Sequence, residues 1–155
     1  MKTLFIMRHG QAQAKASSDA ERPLTARGAA DVERVTNALS AELSELDQLW
    51  VSPYRRARQT AAIVNQVLGR GAEPVVTELL TPDADLEALC AQLQVCEEEH
   101  VLLVSHMPLV GDLIHYLTGA EPGRYPMGTA SVACLTMDVV AAGVGELRWL
   151  RHRDD

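Results

Sequence analysis

No stretch of this 155-residue chain approaches the roughly twenty consecutive apolar residues that a membrane-spanning helix requires. The opening apolar run, Thr3–Met7, is too short for a secretory signal peptide, so the chain is expected to remain in the cytoplasm. Cysteine is scarce. Cys90, Cys96 and Cys134 form no C-x-x-C pair and leave one over, which argues for small buried hydrophobes in a reducing compartment. Positive charge is also short: 14 Lys and Arg stand against 21 Asp and Glu, a formal charge of -7. That balance speaks against a broad nucleic-acid-binding face, so any anion site must be a local basic patch on an acidic body. There is no repeat, low-complexity tract or linker. With 47% apolar and 23% charged residues, the composition suits one globular domain over residues 1–155.

What the chain does have is alternation. Apolar runs of strand length occur at Thr3–Met7, Gln48–Val51, Pro74–Leu80, Val101–Val104, Ser131–Val139 and Glu146–Leu150. Between them lie helical stripes. Val32, Val35, Leu39, Leu43 and Leu46 form one, with Thr25 as its N-cap. Ala57, Ala61, Val64 and Leu68 form the next, started by Ser52-Pro53 and stopped by Gly69. Leu86, Leu89 and Leu93 mark a third helix, and Leu109, Leu113, Ile114 and Leu117 a fourth, bounded by Pro108 and Gly119. Strand–helix alternation predicts an α/β fold, a three-layer sandwich with a mainly parallel sheet covered on both faces. The Gly143–Gly145 turn between the last two runs allows an antiparallel pair at one edge.

Two of the strands end alike. Thr3–Met7 runs into Arg8-His9-Gly10, and "VLLVSH" delivers His106 just before the helix that Pro108 opens. In open α/β sheets ligands bind beyond the carboxyl ends of strands, so both histidines are expected at that edge. "SPYRRARQT" adds Arg55, Arg56 and Arg58 near a helix start. Cations there oppose the helix dipole, a penalty that an anionic ligand would relieve. Arginines and histidines converging on one edge suit a compact, doubly charged oxyanion, with phosphate the obvious candidate. A metal site from His9, His106 and His115 is the weaker reading, because His115 has no acidic partner at ligand spacing.

"RHG" after the first strand, "RPLTARG" before the first helix, "SPYRRARQT" and "SHMPLVG" together resemble the histidine phosphatase superfamily, in particular its SixA-type phosphohistidine phosphatases. The resemblance runs from Met1 to about Gly119, with a weaker echo in "GTASVACLT". It implies that His9 is the nucleophile that becomes phosphorylated, Arg8 and Arg56 (rather than Arg55) are phosphate ligands, and His106 is the second histidine. Arg22 of "RPLT" is a further phosphate contact by the same reasoning, and Gly10 lets the backbone approach the phosphate closely. A protonated His106 would help the arginines cover the equatorial oxygens. Gln59 and Thr60 read as packing at the helix start.

Relatives that cleave phosphate esters use a carboxylic acid to protonate the leaving alkoxide. Here Glu78, Asp83 and Asp19 are candidates for that acid, and Asp85 lies nearby, but none sits in a strong motif. The interval from Pro74–Leu80 to Val101 leaves room for one helix and no inserted subdomain, so the site should be open. An open site without an evident acid suits a large substrate with a labile bond. The resemblance therefore implies a metal-independent phosphatase, without cofactor, that acts on a phosphohistidine-bearing protein such as a phosphorelay or phosphotransfer domain and releases inorganic phosphate. No nucleic acid or membrane partner is expected, and the lack of a further apolar stripe favours a monomer. A small-molecule phosphomonoesterase of the sugar-phosphate type and a non-catalytic phosphate-sensing module are the alternatives.

Overall fold

A computed structural model describes residues 1–155. Six strands and four helices alternate along the chain: β1 Lys2–Arg8, α1 Ala26–Ala38, β2 Gln48–Val51, α2 Arg55–Leu68, β3 Val75–Val76, α3 Leu86–Val95, β4 His100–Ser105, α4 Leu109–Thr118, β5 Val132–Met137 and β6 Glu146–Arg151. They build one sheet in the order β3-β2-β4-β1-β5-β6. The pairs β3–β2, β2–β4 and β4–β1 are parallel, whereas β5 pairs antiparallel with both β1 and β6. The expected antiparallel pair thus closes one end. The strand that reverses is β5, one place in from the edge, so β6 at the rim points the same way as β1.

Why the sheet is covered on both faces follows from side-chain alternation, since successive strand residues point to opposite sides. Leu4 and Ile6 pack with Leu103, Ala133 and Leu135 against α3 and α4. Phe5 and Met7 pack with Leu102, Val104 and Val132 against α1 and α2. The middles of the two central strands, Leu4–Met7 and Val101–Val104, are therefore apolar at every position, as a doubly buried sheet demands.

Helix ends follow the local chemistry. The Thr25 hydroxyl accepts from the Gly28 N–H at 2.9 Å and caps α1. Gly69 and Gly119 end α2 and α4 with φ of 67° and 72°, left-handed values that cost little without a Cβ. Two expectations need correction. The first helix stops at Ala38, and Leu39 and Leu43 reach the core from the turns that follow. The Pro74–Leu80 run is not one strand: only Val75–Val76 pairs with β2, and Glu78–Leu80 coils into a single 3-10 turn capped by Thr77. Thr77 offers the turn a side-chain acceptor, and local hydrogen bonding of that kind competes with the ladder.

One consequence positions the site. β1 and β4 are parallel neighbours with Arg8 opposite Ser105, so the residues after them, His9 and His106, emerge side by side. The chain leaves β1 towards α1 on one face and leaves β4 towards α4 on the other. The crevice at such a switch in direction is where open α/β sheets bind ligands.

Candidate active site

The His9 and His106 ring centres are 5.0 Å apart. Both rings are buried, as is Arg56. His9 Nδ1 lies 2.7 Å from the Gly10 carbonyl oxygen, which can only accept, so Nδ1 carries the proton and Nε2 keeps its lone pair. Arg56 Nε–H donates to that lone pair at 3.3 Å. Burial, followed by the charges of Arg56, Arg8 and Arg22, lowers the His9 pKa to about 4. The ring is therefore neutral at physiological pH, with a nucleophilic nitrogen facing a guanidinium.

The Gly10 turn is packed too tightly for any side chain. A Cβ on Gly10 would lie 2.8 Å from both the Gly28 carbonyl oxygen and Val32, and one on Gly28 would lie 2.0 Å from the Gln11 carbonyl oxygen. These two glycines let the turn after β1 press against the first turn of α1. The Gly10 N–H donates to Thr60 Oγ1 at 3.1 Å, and that hydroxyl donates to the Arg56 carbonyl at 2.8 Å. Thr60 thus ties the His9 turn to the helix that carries Arg56. Gln59 accepts from the Leu24 N–H at 2.7 Å, holding the segment before α1. Both side chains are polar ties, not the packing that their place in the motif suggested.

Arg8 is held from the other side. One of its terminal nitrogens donates to the Met127 carbonyl at 3.0 Å, and its Nε is buried without a partner. The Ala130 N–H donates to the carbonyls of Arg8 and His9 from a left-handed φ of 62°. Because β6 points the same way as β1, the chain end arrives here too: Arg153 donates to Thr129 at 2.7 Å, and His152 bonds Ser131 at 2.6 Å. Burial, then Arg153 and Arg56, pull the Arg8 pKa below its usual value. Nothing in the sequence pattern marked Arg153, because its proximity depends on the direction of β6.

Asp19 sits at the mouth. Its carboxylate lies 3.3 Å from Arg56 and 3.1 Å from Arg22, and its backbone carbonyl accepts from Arg56 at 2.7 Å. Glu78 and Asp83 are exposed and take no part in these ion pairs. His106 is neutral, not the imidazolium expected: burial, then His9 and Arg56, lower its pKa to about 2. His115 lies on α4 with its Nδ1 against the Ala120 carbonyl, and no cluster of three or more metal-ligating side chains exists.

The register of the arginines is plain in the structure, with Arg56 buried against His9 and Arg55 exposed. Arg56→Ala is expected to lower kcat/KM by roughly a hundredfold or more, as for other lost transition-state donors, and Arg55→Ala to change it little. Phosphatase kinetics on the two variants check this, and the reverse ranking would refute the assignment.

Residues 4–81 match the family model of the histidine phosphatase superfamily, branch 1. The chain is 37% identical over 151 residues to the phosphohistidine phosphatase SixA of Escherichia coli strain K12, covering 94% of this chain and 91% of that one. This chain belongs to the histidine phosphatase superfamily. A SixA homologue of Haemophilus influenzae shares 37% identity over 126 residues, 75% of this chain and 77% of the homologue. The solved structure of the protein histidine phosphatase SixA complexed with tungstate superposes on this histidine phosphatase with a TM-score of 0.89 at 35% identity, covering 98% and 97% of the two chains. The α-ribazole phosphatase of Shigella flexneri shares the fold, with a TM-score of 0.79 at 20% identity and coverage of 98% and 97%. No helix of this histidine phosphatase is long and apolar enough to cross a membrane.

Proposed function

We propose that this chain is a phosphohistidine phosphatase that passes the phosphoryl group of a protein phosphohistidine to His9 and then to water. The observation that carries the reading is the His9 ring, fixed by the Gly10 carbonyl with its Nε2 lone pair free of a proton and in contact with Arg56. Tungstate, which a similar protein binds, is a tetrahedral dianion like phosphate, and supports the reading.

The chemistry balances without an added acid. The substrate ring, protonated on its other nitrogen, leaves as neutral imidazole when its P–N bond breaks. The new P–N bond forms at His9 Nε2, while Nδ1 keeps its proton on the Gly10 carbonyl, so the ring of phospho-His9 is cationic and its P–N bond labile. Water then attacks phosphorus, the P–N bond to His9 breaks, and both hydrogens of water leave with dihydrogen phosphate. His9 returns to its neutral state. Arg8, Arg56 and Arg22 compensate the phosphoryl charge, and transfer needs little beyond this and alignment.

Asp19 holds Arg56 and Arg22 in place, and Glu78 and Asp83 take no part. A second reading, hydrolysis of small phosphate esters, is favoured by one observation only: Asp19 is an exposed carboxylate at the mouth, beside Arg22 and Arg56. The residues given roles here all come from one chain, which supports a monomer of one domain as the acting unit. Its thiols are all free, which suits work in the cytoplasm on a phosphorelay or phosphotransfer protein.

The test is release of inorganic phosphate from a phosphohistidine protein in excess chelator. The expected rate equals that without chelator. Loss of activity, restored by magnesium or zinc, would sink the metal-free mechanism.

A further inference from the structure

Ser52, directly after β2, has no assigned part in the reaction, yet it is fully buried against the second histidine. Three groups meet at its hydroxyl. The Tyr54 N–H donates to Ser52 Oγ at 3.2 Å, and His106 Nε2 lies 2.7 Å from the same oxygen. The opposite ring nitrogen, His106 Nδ1, is buried with no partner in the protein.

A hydroxyl has one hydrogen and two lone pairs, and a neutral imidazole has one N–H. The low pKa of His106 makes the neutral ring the state to consider, so one nitrogen alone bears the proton. Suppose that nitrogen were Nε2. Ser52 would then accept from both Tyr54 and His106, and its own hydrogen would be left in a fully buried place. Two polar groups would be unsatisfied: that hydrogen and the Nδ1 lone pair. With the proton on Nδ1, Ser52 accepts from Tyr54 and donates to Nε2, so its hydrogen is paired and its oxygen, with one lone pair to spare, is satisfied as an acceptor. Only the Nδ1–H remains unpaired, on a ring 5.0 Å from that of His9. Buried polar groups left unpaired are costly, which selects the second arrangement.

We propose that Ser52 is a positioning residue: its hydroxyl donates to His106 Nε2 and fixes the Nδ1–H tautomer, making His106 a neutral hydrogen-bond donor to the phosphoryl oxygens. The target of that donor rests on the reaction proposed above; the tautomer does not. A donor of this kind strengthens as charge grows on the oxygens in the transition state and needs no proton transfer. Tyr54 supports the same geometry, its ring standing edge-on to His106 at 5.0 Å and beneath Arg56 at 5.1 Å.

The experiment is nitrogen NMR of the full chain carrying labelled histidine at neutral pH, paired with kinetics of Ser52→Ala and Ser52→Thr. The expected wild-type spectrum has His106 Nδ1 in the range of a protonated ring nitrogen and Nε2 in the range of a bare one. Ser52→Ala should show a mixture of the two tautomers and a kcat lower by roughly tenfold or more, with KM for a phosphohistidine protein little changed. Ser52→Thr, which keeps the hydroxyl, should restore the wild-type pattern. A wild-type His106 protonated at Nε2 overturns the proposal, as does a Ser52→Ala protein with unaltered tautomer and kcat. If Ser52→Ala does not fold, the wild-type spectrum decides alone. A wild-type Nδ1–H spectrum in a chain that releases no phosphate from phosphohistidine would leave the tautomer standing and remove the reaction.

Discussion

Replacing His9 with alanine is expected to lower kcat by roughly four orders of magnitude or more, the scale seen when a covalent nucleophile is removed. No other side chain of the site can take over. Arg8, Arg22 and Arg56 are cations, and His106 turns one nitrogen to Ser52. The variant should still bind phosphate or tungstate, because the arginines remain, and it should accumulate no phosphoenzyme. Acid quench of the wild type during turnover should trap phosphorus on His9, and the alanine variant should trap none. Label on a different residue would overturn the assignment. The pH dependence follows from the same environment. A histidine whose pKa is lowered from 6.5 to about 4 keeps its lone pair free above that value and loses it as pH falls through it. Once the titration of the substrate is allowed for, the acid limb of kcat/KM, which reports the free enzyme, therefore lies near pH 4. A limb near 6.5 would mean that His9 is far better solvated than its burial implies.

The parts of this molecule that sequence makes legible are those governed by short-range rules. Periodicity locates β1, β4 and the apolar stripes of α2 and α4, because burial on one or two faces imposes it. Gly69 and Gly119 mark helix ends through backbone conformation alone. The placement of His9 and His106 after apolar runs signals one sheet edge, but their adjacency needs β4 to sit beside β1, and only the strand order supplies that. What escapes is whatever depends on tertiary approach. Thr60 resembles packing until its hydroxyl meets Gly10, and Asp19 resembles a surface carboxylate until two guanidiniums reach it. The charge of His106 fails to follow from motif reasoning for the same reason. A family pattern suggests a cation, whereas burial, with a second histidine and three arginines beside it, lowers the pKa of the ring to about 2. Only two residues of the Pro74–Leu80 run form a strand, since apolar content cannot tell a short edge pairing from a 3-10 turn.

The largest remaining effect concerns the leaving group. With Glu78 and Asp83 exposed outside the ion pairs of the site, and Asp19 engaged with Arg56 and Arg22, no carboxyl is poised to protonate a departing alkoxide. A leaving imidazole that already carries its proton needs none, and an acidic phenol needs little. An alkoxide must leave as a strong base, at a cost of several kcal/mol in barrier, or roughly a thousandfold in rate. Phosphohistidine proteins and aryl phosphates of acidic phenols should therefore turn over far faster than sugar phosphates or other alkyl esters. The short span between β3 and β4 holds α3 and no inserted subdomain, so a bulky phosphoprotein is expected to meet no lid domain there. Rates on a phosphohistidine protein, an aryl phosphate and a sugar phosphate, measured side by side, decide the matter. Comparable kcat/KM on the sugar phosphate would show that a carboxyl group does donate there. Asp19 would then be the residue responsible, since it is the candidate that touches the arginines. Asp19→Asn would separate the two roles: loss confined to alkyl esters would make Asp19 an acid, whereas an equal loss on all three substrates would leave it as the group that holds Arg56 in position.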